Sequence, residues 1–386
     1  MEVIQVENLT KDYGDNRGIF DLNFAVNKGE TFGFVGTNGS GKTTTIRHIM
    51  GFLKPQKGKV LVMGMDAWKN SCEIKRYVEY VPGEIAFPDL KDGTTFLKNQ
   101  AELLNLKDMS YATSLINRLQ LDTSANLKRM SKGMKQKTAI VAALMADKDI
   151  LILDEPTTGL DPLMRETFIE LILEEKKKGK TILMSSQMFG ELEITCDRVA
   201  LILNGRIVDI ADINELKSLP YKSFKIEFNK EEEYKKFKKL KFNIIRDQVQ
   251  YNQVTVKIED KDINRLFKVL QNYDLKFISE VQYNLEKHFK DILFKMEEEK
   301  KNAELEMNKE EKSSNNEEIL SQAENNDKLQ TNIEQPCEDN VHNEDDKEED
   351  KHEEIKEHKE KTENEKEGSK KIGLENKKNK KGGKNV

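Results

Sequence analysis

The residues best suited to chemistry lie in Gly36-Thr37-Asn38-Gly39-Ser40-Gly41-Lys42-Thr43, which fits the spacing G-x-x-x-x-G-K-[ST]. In that pattern the glycines let backbone N–H groups turn inward around a polyphosphate. A helix predicted over Thr44–Phe52 points its positive N-terminal end at the same anion. Lys42 can reach the β- and γ-phosphates as a mobile charge, and the Thr43 hydroxyl can ligate Mg²⁺. A nucleoside triphosphate, ATP or GTP, is the ligand this loop implies. A second group is Asp154-Glu155, at the end of the apolar run Ile150-Leu151-Ile152-Leu153. Open α/β sheets place their ligands at the carboxyl ends of such strands. Asp154 would hold Mg²⁺ directly or through a water. Glu155, with its side chain on the other side of the strand, would take a proton from an attacking water.

Two weaker signals stand beside these. Ser131-Lys132-Gly133-Met134-Lys135-Gln136 is a Ser/Gly loop opening a helix. It reads either as a second anion-binding helix start or as a plain N-cap. Tyr13, in the turn Tyr13-Gly14-Asp15-Asn16, reads either as a ring that stacks on a base or as one packed against a strand.

These groups need a scaffold. Thr31–Val35 leads into the loop, Lys180–Met184 and Val199–Leu203 supply further strands, and Asn204-Gly205 turns into Arg206–Ile210. Val3–Thr10 and Phe20–Val26 alternate apolar with polar residues, while Lys59–Met63 and Tyr77–Val81 are shorter strands. Helical spacing over Thr94–Leu121 and Lys135–Ala146 predicts a mostly helical insertion. The βαβ alternation predicts an α/β fold with a largely parallel sheet and helices on both faces.

Beyond this lies a different pattern. Strand Lys222–Phe228, helix Glu231–Leu240, hairpin Phe242–Val249 with Gln253–Ile258, helix Asp262–Tyr273, strand Leu275–Tyr283 and helix Leu285–Met296 follow in order. The order βαββαβ plus a helix predicts a small ferredoxin-like accessory domain over 221–296. From Glu297 onward the chain has no Phe, Tyr or Trp and holds 18 basic and 28 acidic side chains. Such a segment cannot bury enough apolar surface to fold, so 297–386 is expected to be a disordered charged tail. The net charge of −6 therefore belongs to the tail, and the rest of the 386-residue chain is near +4. The closing lysine cluster, Lys370 to Lys384, is either a solvated extension or a contact for an anionic membrane surface.

Cys72, Cys196 and Cys337 are far apart and form no C-x-x-C pair, which argues against a disulfide framework or a zinc site and fits a reducing compartment. The start of the sequence shows no secretory pattern. No apolar run approaches the roughly 18 residues needed to span a bilayer. Were this chain to work at a membrane, another chain would span it.

Together the motifs of residues 1–217 resemble an ATP-binding cassette (ABC) ATPase, the nucleotide-binding subunit of a transporter whose permease is a separate chain. Gly36–Thr43 resembles the Walker A loop, followed by Thr44, and Ile150–Glu155 the Walker B strand. Gly159-Leu160-Asp161 resembles the D-loop, and Ser131–Gln136 a variant of the LSGGQ signature. Tyr13 matches the aromatic residue that stacks on adenine, and Cys196-Asp197-Arg198-Val199 with Asn204-Gly205-Arg206-Ile207 is similar to the usual ending of such domains. The resemblance implies a P-loop NTPase fold of the ABC type: a parallel core, an antiparallel β subdomain and a helical subdomain near 84–146. It implies ATP and Mg²⁺ as ligands, and two copies that dimerise head to tail. Ser131, Gly133 and Met134 of one copy would then meet ATP held by the other, with Asp161 beside them. Permease contact would place the protein on the cytoplasmic face of the cell membrane, powering transport, with export the favoured direction and no nucleic acid involved.

Two positions depart from the family pattern. After Val81-Pro82 the family has a Gln, whereas this chain has Gly83-Glu84, with Glu84 open to two readings: a substitute oxygen ligand for the metal or a solvated loop residue. After Leu183-Met184-Ser185-Ser186 the family has a His that bonds the γ-phosphate, and here Gln187 stands instead. Gln offers two donors but no charge, so slowed hydrolysis is expected. The two histidines before the tail, His48 and His288, fall at no motif and read as surface or packing residues. The competing readings are a slow or regulatory nucleotide-dependent switch and a soluble cassette ATPase acting on ribosomes or DNA.

Overall fold

The computed structural model describes residues 1–302. β1 (Glu2–Asp12) and β2 (Gly18–Asn27) form an antiparallel pair. β3 (Thr31–Val35), buried at every position, feeds the phosphate loop and α1 (Lys42–Ile49). β4 (Lys57–Val62) pairs with β1, and the short β5 (Met65–Asp66) completes a four-stranded antiparallel sheet in the order β2-β1-β4-β5. After α2 (Ser71–Ile74) and β6 (Val78–Val81) comes the helical insertion of α3 (Gly93–Leu103), α4 (Ser110–Arg118) and α5 (Lys132–Met145). β7 (Ile150–Asp154), α6 (Pro162–Lys177), β8 (Thr181–Ser186) and α7 (Phe189–Thr195) follow. The hairpin β9 (Arg198–Leu203) and β10 (Arg206–Asp212) and the short α8 (Ile213–Lys217) close this part.

The second sheet runs β10-β9-β3-β8-β7-β6, parallel throughout except for β10 at its edge. Its central strands are apolar on both faces because both are covered. Leu151, Leu153, Ile182 and Met184 pack against α5, α6 and α7. On the opposite face, Ile150, Ile152, Phe32, Phe34 and Leu183 pack against Ile46 and Ile49 of α1 and against β1, β2 and β4. Helices thus lie on both faces, as expected, and on the second face α1 shares the cover with the antiparallel sheet. Period-two alternation in β1 and β2 marks a half-buried strand but carries no information about what it covers.

β11 (Tyr221–Phe228), α9 (Glu231–Lys238), β12 (Asn243–Gln248), β13 (Gln253–Glu259), α10 (Ile263–Leu270) and β14 (Leu275–Val281) build an α+β unit within the same compact body as the two sheets above. Its antiparallel sheet has the order β12-β13-β11-β14 and a core of its own around Phe228, Tyr234 and Phe237. The last helix, α11, occupies 285–302. Leu285 and Phe289 on α11 are fully buried, and they join the first core rather than that of the α+β unit. The Phe289 ring stands 6.1 Å from Phe189 on α7. The helix continues past Glu297, where composition placed the start of the disordered segment, because its apolar stripe ties it to a folded surface. The rest of the expected tail, with the Lys370–Lys384 cluster and Cys337, lies outside the described residues.

Candidate functional site

The phosphate loop is shaped by close approaches that only glycine permits. A Cβ at Gly36 would fall 2.4 Å from the Ile202 carbonyl oxygen and 2.6 Å from Ser40 Oγ. Gly41 has φ of +114°, and a Cβ there would lie 2.6 Å from Ile19 Cγ2. This left-handed residue lets the chain enter α1 directly at Lys42, two residues earlier than periodicity placed the helix. No side chain caps α1 and no acidic residue sits in its first turn, so its unpaired N–H groups border the hollow lined by Asn38, Gly39, Ser40, Gly41, Lys42, Thr43, Thr44 and Glu155. Thr37 lies exposed on the same loop. Lys42 is 4% exposed; its Nζ donates to Gly36 O at 2.7 Å and Thr37 O at 3.1 Å and stands 3.3 Å from Glu155 Oε1.

At the end of β7 the two carboxylates border one cleft of about 310 Å³, together with Asn38, Thr43, Arg47, Tyr80, Gly83, Glu84 and Thr158. Asp154 is buried; its Oδ1 accepts from Ser185 Oγ at 2.6 Å, while its Oδ2 is buried without a partner. Thr43, Glu84 and that orphaned oxygen border the cleft together. Magnesium fits such a set, since it is commonly bound through one or two carboxylates, with waters and substrate phosphates completing its shell. Among the described residues no group of three or more His, Cys, Asp or Glu is placed to hold a metal ion.

Glu155 does not continue the strand's alternation. It lies just past β7 with φ of +48°, and its N–H donates to both Ser185 O and Ser185 Oγ. The expected placement on the far side of the strand is thus corrected: the left-handed turn brings Glu155 to the same cleft as Asp154. One hydroxyl, Ser185 Oγ, ties the two neighbours by donating to Asp154 and accepting from Glu155. Gln187, just past β8, donates from Nε2 to Asn38 Oδ1 at 2.8 Å and to both Glu155 oxygens at 2.9 and 3.0 Å. The amide nitrogen faces the carboxylate because a carboxylate can only accept.

The remaining candidates sit elsewhere. Ser131 caps α5, accepting from Met134 N–H at 3.2 Å, and Met134 packs against the core. Gly133 is held close to the loop after β7; a Cβ on it would lie 2.6 Å from Gly159 O. Asp161 caps α6, accepting from Met164 N–H at 3.0 Å. Tyr13 is half exposed, with the Lys11 ammonium 5.6 Å from its ring centre. None of these five lines either hollow in this chain, although Lys132 of the Ser/Gly loop does line the larger one. Ser185 and its neighbour Ser186 make contacts with Asp154 and Glu191 that motif spacing alone does not assign. The signal was there, as two hydroxyls closing an apolar strand.

The model of the ABC transporter family matches residues 19–158. The chain is 32% identical to the ABC transporter ATP-binding protein YhcH of Bacillus subtilis over 225 residues, 55% of this chain and 71% of that one. The chain belongs to the family of ABC transporter ATP-binding proteins. It is also 33% identical to the linearmycin resistance ATP-binding protein LnrL of Bacillus subtilis, covering 56% of this chain and 71% of that one. A solved ATP-binding subunit of an ABC transporter superposes with a TM-score of 0.50 at 30% identity, over 56% of this chain and 92% of that one. Cassettes of this family bind and hydrolyse ATP, and their subunits work with transmembrane permeases. In this cassette no helix among the described residues is long and apolar enough to cross a membrane.

Proposed function

We propose that this cassette hydrolyses ATP with Mg²⁺ as a head-to-tail dimer of two copies and so drives a permease carried on another chain, from the inner face of the cell membrane. The observation that carries the catalytic part is the convergence of Lys42, Glu155 and Gln187 at the mouth of the phosphate loop. Gly36–Thr44 hold the triphosphate through backbone N–H groups, and Lys42 meets the β- and γ-phosphate charge. Thr43 and Asp154, with Glu84 nearby, would hold the metal, which when bound would supply charge neutralisation for the phosphates. Glu155 accepts the proton of the attacking water, and Gln187 keeps its carboxylate aimed at the γ-phosphate side. Tyr13 supports the base, while Ser131, Gly133, Met134 and Asp161, which border neither hollow here, are assigned to the facing copy's nucleotide. Export is the direction favoured by the resistance protein among the relatives. Residues 1–217 together with α11 are assigned to the cassette, and 221–281 to its accessory domain.

The neutral amide of Gln187 favours one further reading, a slow cassette that works as a nucleotide-dependent switch. A single assay separates the two. Purified protein is expected to turn over ATP in the presence of Mg²⁺, and Glu155→Gln to abolish turnover and leave an ATP-dependent dimer detectable by size-exclusion chromatography. Equal rates in the two proteins would refute Glu155 as the base.

A further inference from the structure

We infer that Glu191, a buried carboxylate on α7 outside both hollows, is the positioning residue that sets Glu155 and Gln187 against each other. It is 3% exposed, and its Oε2 accepts from two hydroxyls on two different segments: Thr157 Oγ1, on the loop after β7, at 2.9 Å and Ser186 Oγ, at the last residue of β8, at 2.8 Å. Thr157 lies two residues past Glu155, and Ser186 immediately precedes Gln187. The Ser186 hydroxyl, its proton committed to Glu191, accepts from Met188 N–H at 3.0 Å, so the backbone is fixed on both sides of Gln187. Arg165 of α6 faces the other oxygen with Nε 3.1 Å from Oε1, an ion pair without hydrogen-bond alignment that keeps the buried charge compensated. A carboxylate is the one side chain of this size that can only accept, so it forces both hydroxyls to donate. That constraint links the loop after β7 to the end of β8, and its role rests on the reading of Glu155 and Gln187 given above.

In Glu191→Gln the amide nitrogen can present donors to hydroxyls that require an acceptor, while the volume is kept. The expected result is a fall in kcat of about tenfold to a hundredfold, the size of a lost hydrogen bond to a charged group, with the Kd for ATP changed by less than about twofold. Thr157→Val should lower kcat in the same way and Thr157→Ser should restore it, since only the hydroxyl matters. The double variant Glu191→Gln/Thr157→Val should lose less than the product of the single losses. Wild-type kcat in both Glu191→Gln and Thr157→Val overturns the inference, as does a kcat loss matched by an equal loss of ATP binding. If Glu191→Gln does not fold, the Thr157 pair decides alone. The underlying reading fails separately: it falls if Glu155→Gln keeps wild-type turnover, whereas the inference falls by itself if Glu155→Gln is dead and the Thr157 and Glu191 variants are not.

Discussion

At residue 187 an amide, neutral at every pH, bonds the proposed base. Its Nε2 spans Asn38 and both oxygens of Glu155, so the side chain links the phosphate loop to the proposed general base. Gln187→Ala removes that span and is expected to lower kcat by about tenfold or more, as when one aligned donor is lost. Gln187→His supplies a group that can carry charge near the γ-phosphate and is expected to raise kcat; an unchanged or lower rate would show a site built around the amide. Steady-state ATPase rates at saturating ATP check both. At this scale the sequence was most legible where chemistry and spacing coincide, as in Lys42, Thr43 and Asp154. It was misleading at Glu155, whose side-chain direction follows from a left-handed turn rather than from strand alternation. Glu191 was unreadable, because a lone Glu on a short helix looks solvated until Thr157, Ser186 and Arg165 are folded around it.

Among the elements, β6 carries a titratable group in an unusual setting. It is the edge strand of the parallel sheet, paired through Glu79 to Leu151 of β7. Burial pushes the Glu79 carboxyl up to about 7, against a modest opposing pull from Lys148. The folded protein therefore holds this proton more tightly than the unfolded chain, whose carboxyl titrates near 4.5. Between those values the folded state binds more protons, so the contribution of Glu79 to stability is full below about 4.5 and declines as pH rises towards about 7. Glu79→Gln should flatten that part of the stability profile, with the largest gain relative to wild type at and above neutral pH, as read by urea denaturation at stepped pH. The strands themselves were legible, because runs such as Ile150–Leu153 are apolar at every position and β1 and β2 alternate. Short elements such as β5 and α8 left no periodicity to read.

For the whole molecule, order along the chain and membership of a core are different things. α11 follows the α+β unit in sequence, yet Leu285 and Phe289 fill the first core beside Phe189, Leu192 and Ile213. A fragment ending at Lys217 would leave those apolar neighbours facing water, and burying a residue such as Phe contributes about 1.5–3 kcal/mol. We expect the 1–217 fragment to melt at a lower temperature than 1–302 and to aggregate at lower concentration, by scanning calorimetry and light scattering; identical melting would mean that α11 merely rests on the surface. His288, expected to be an ordinary residue, sits on the same helix with Nε2 2.8 Å from Asp209 Oδ2 and adds a polar clasp to the apolar one. No periodicity within 285–296 names a partner some 75–100 residues upstream, which is why sequence reading set this helix within the accessory domain. The seating of α11 also bears on synthesis. A ribosome adds about 5–20 residues per second, so several seconds to more than ten separate the emergence of Lys217 from that of Phe289. During that interval the cassette is chemically complete but its core still lacks a side, which makes this stretch of translation the period when a chaperone has most to protect.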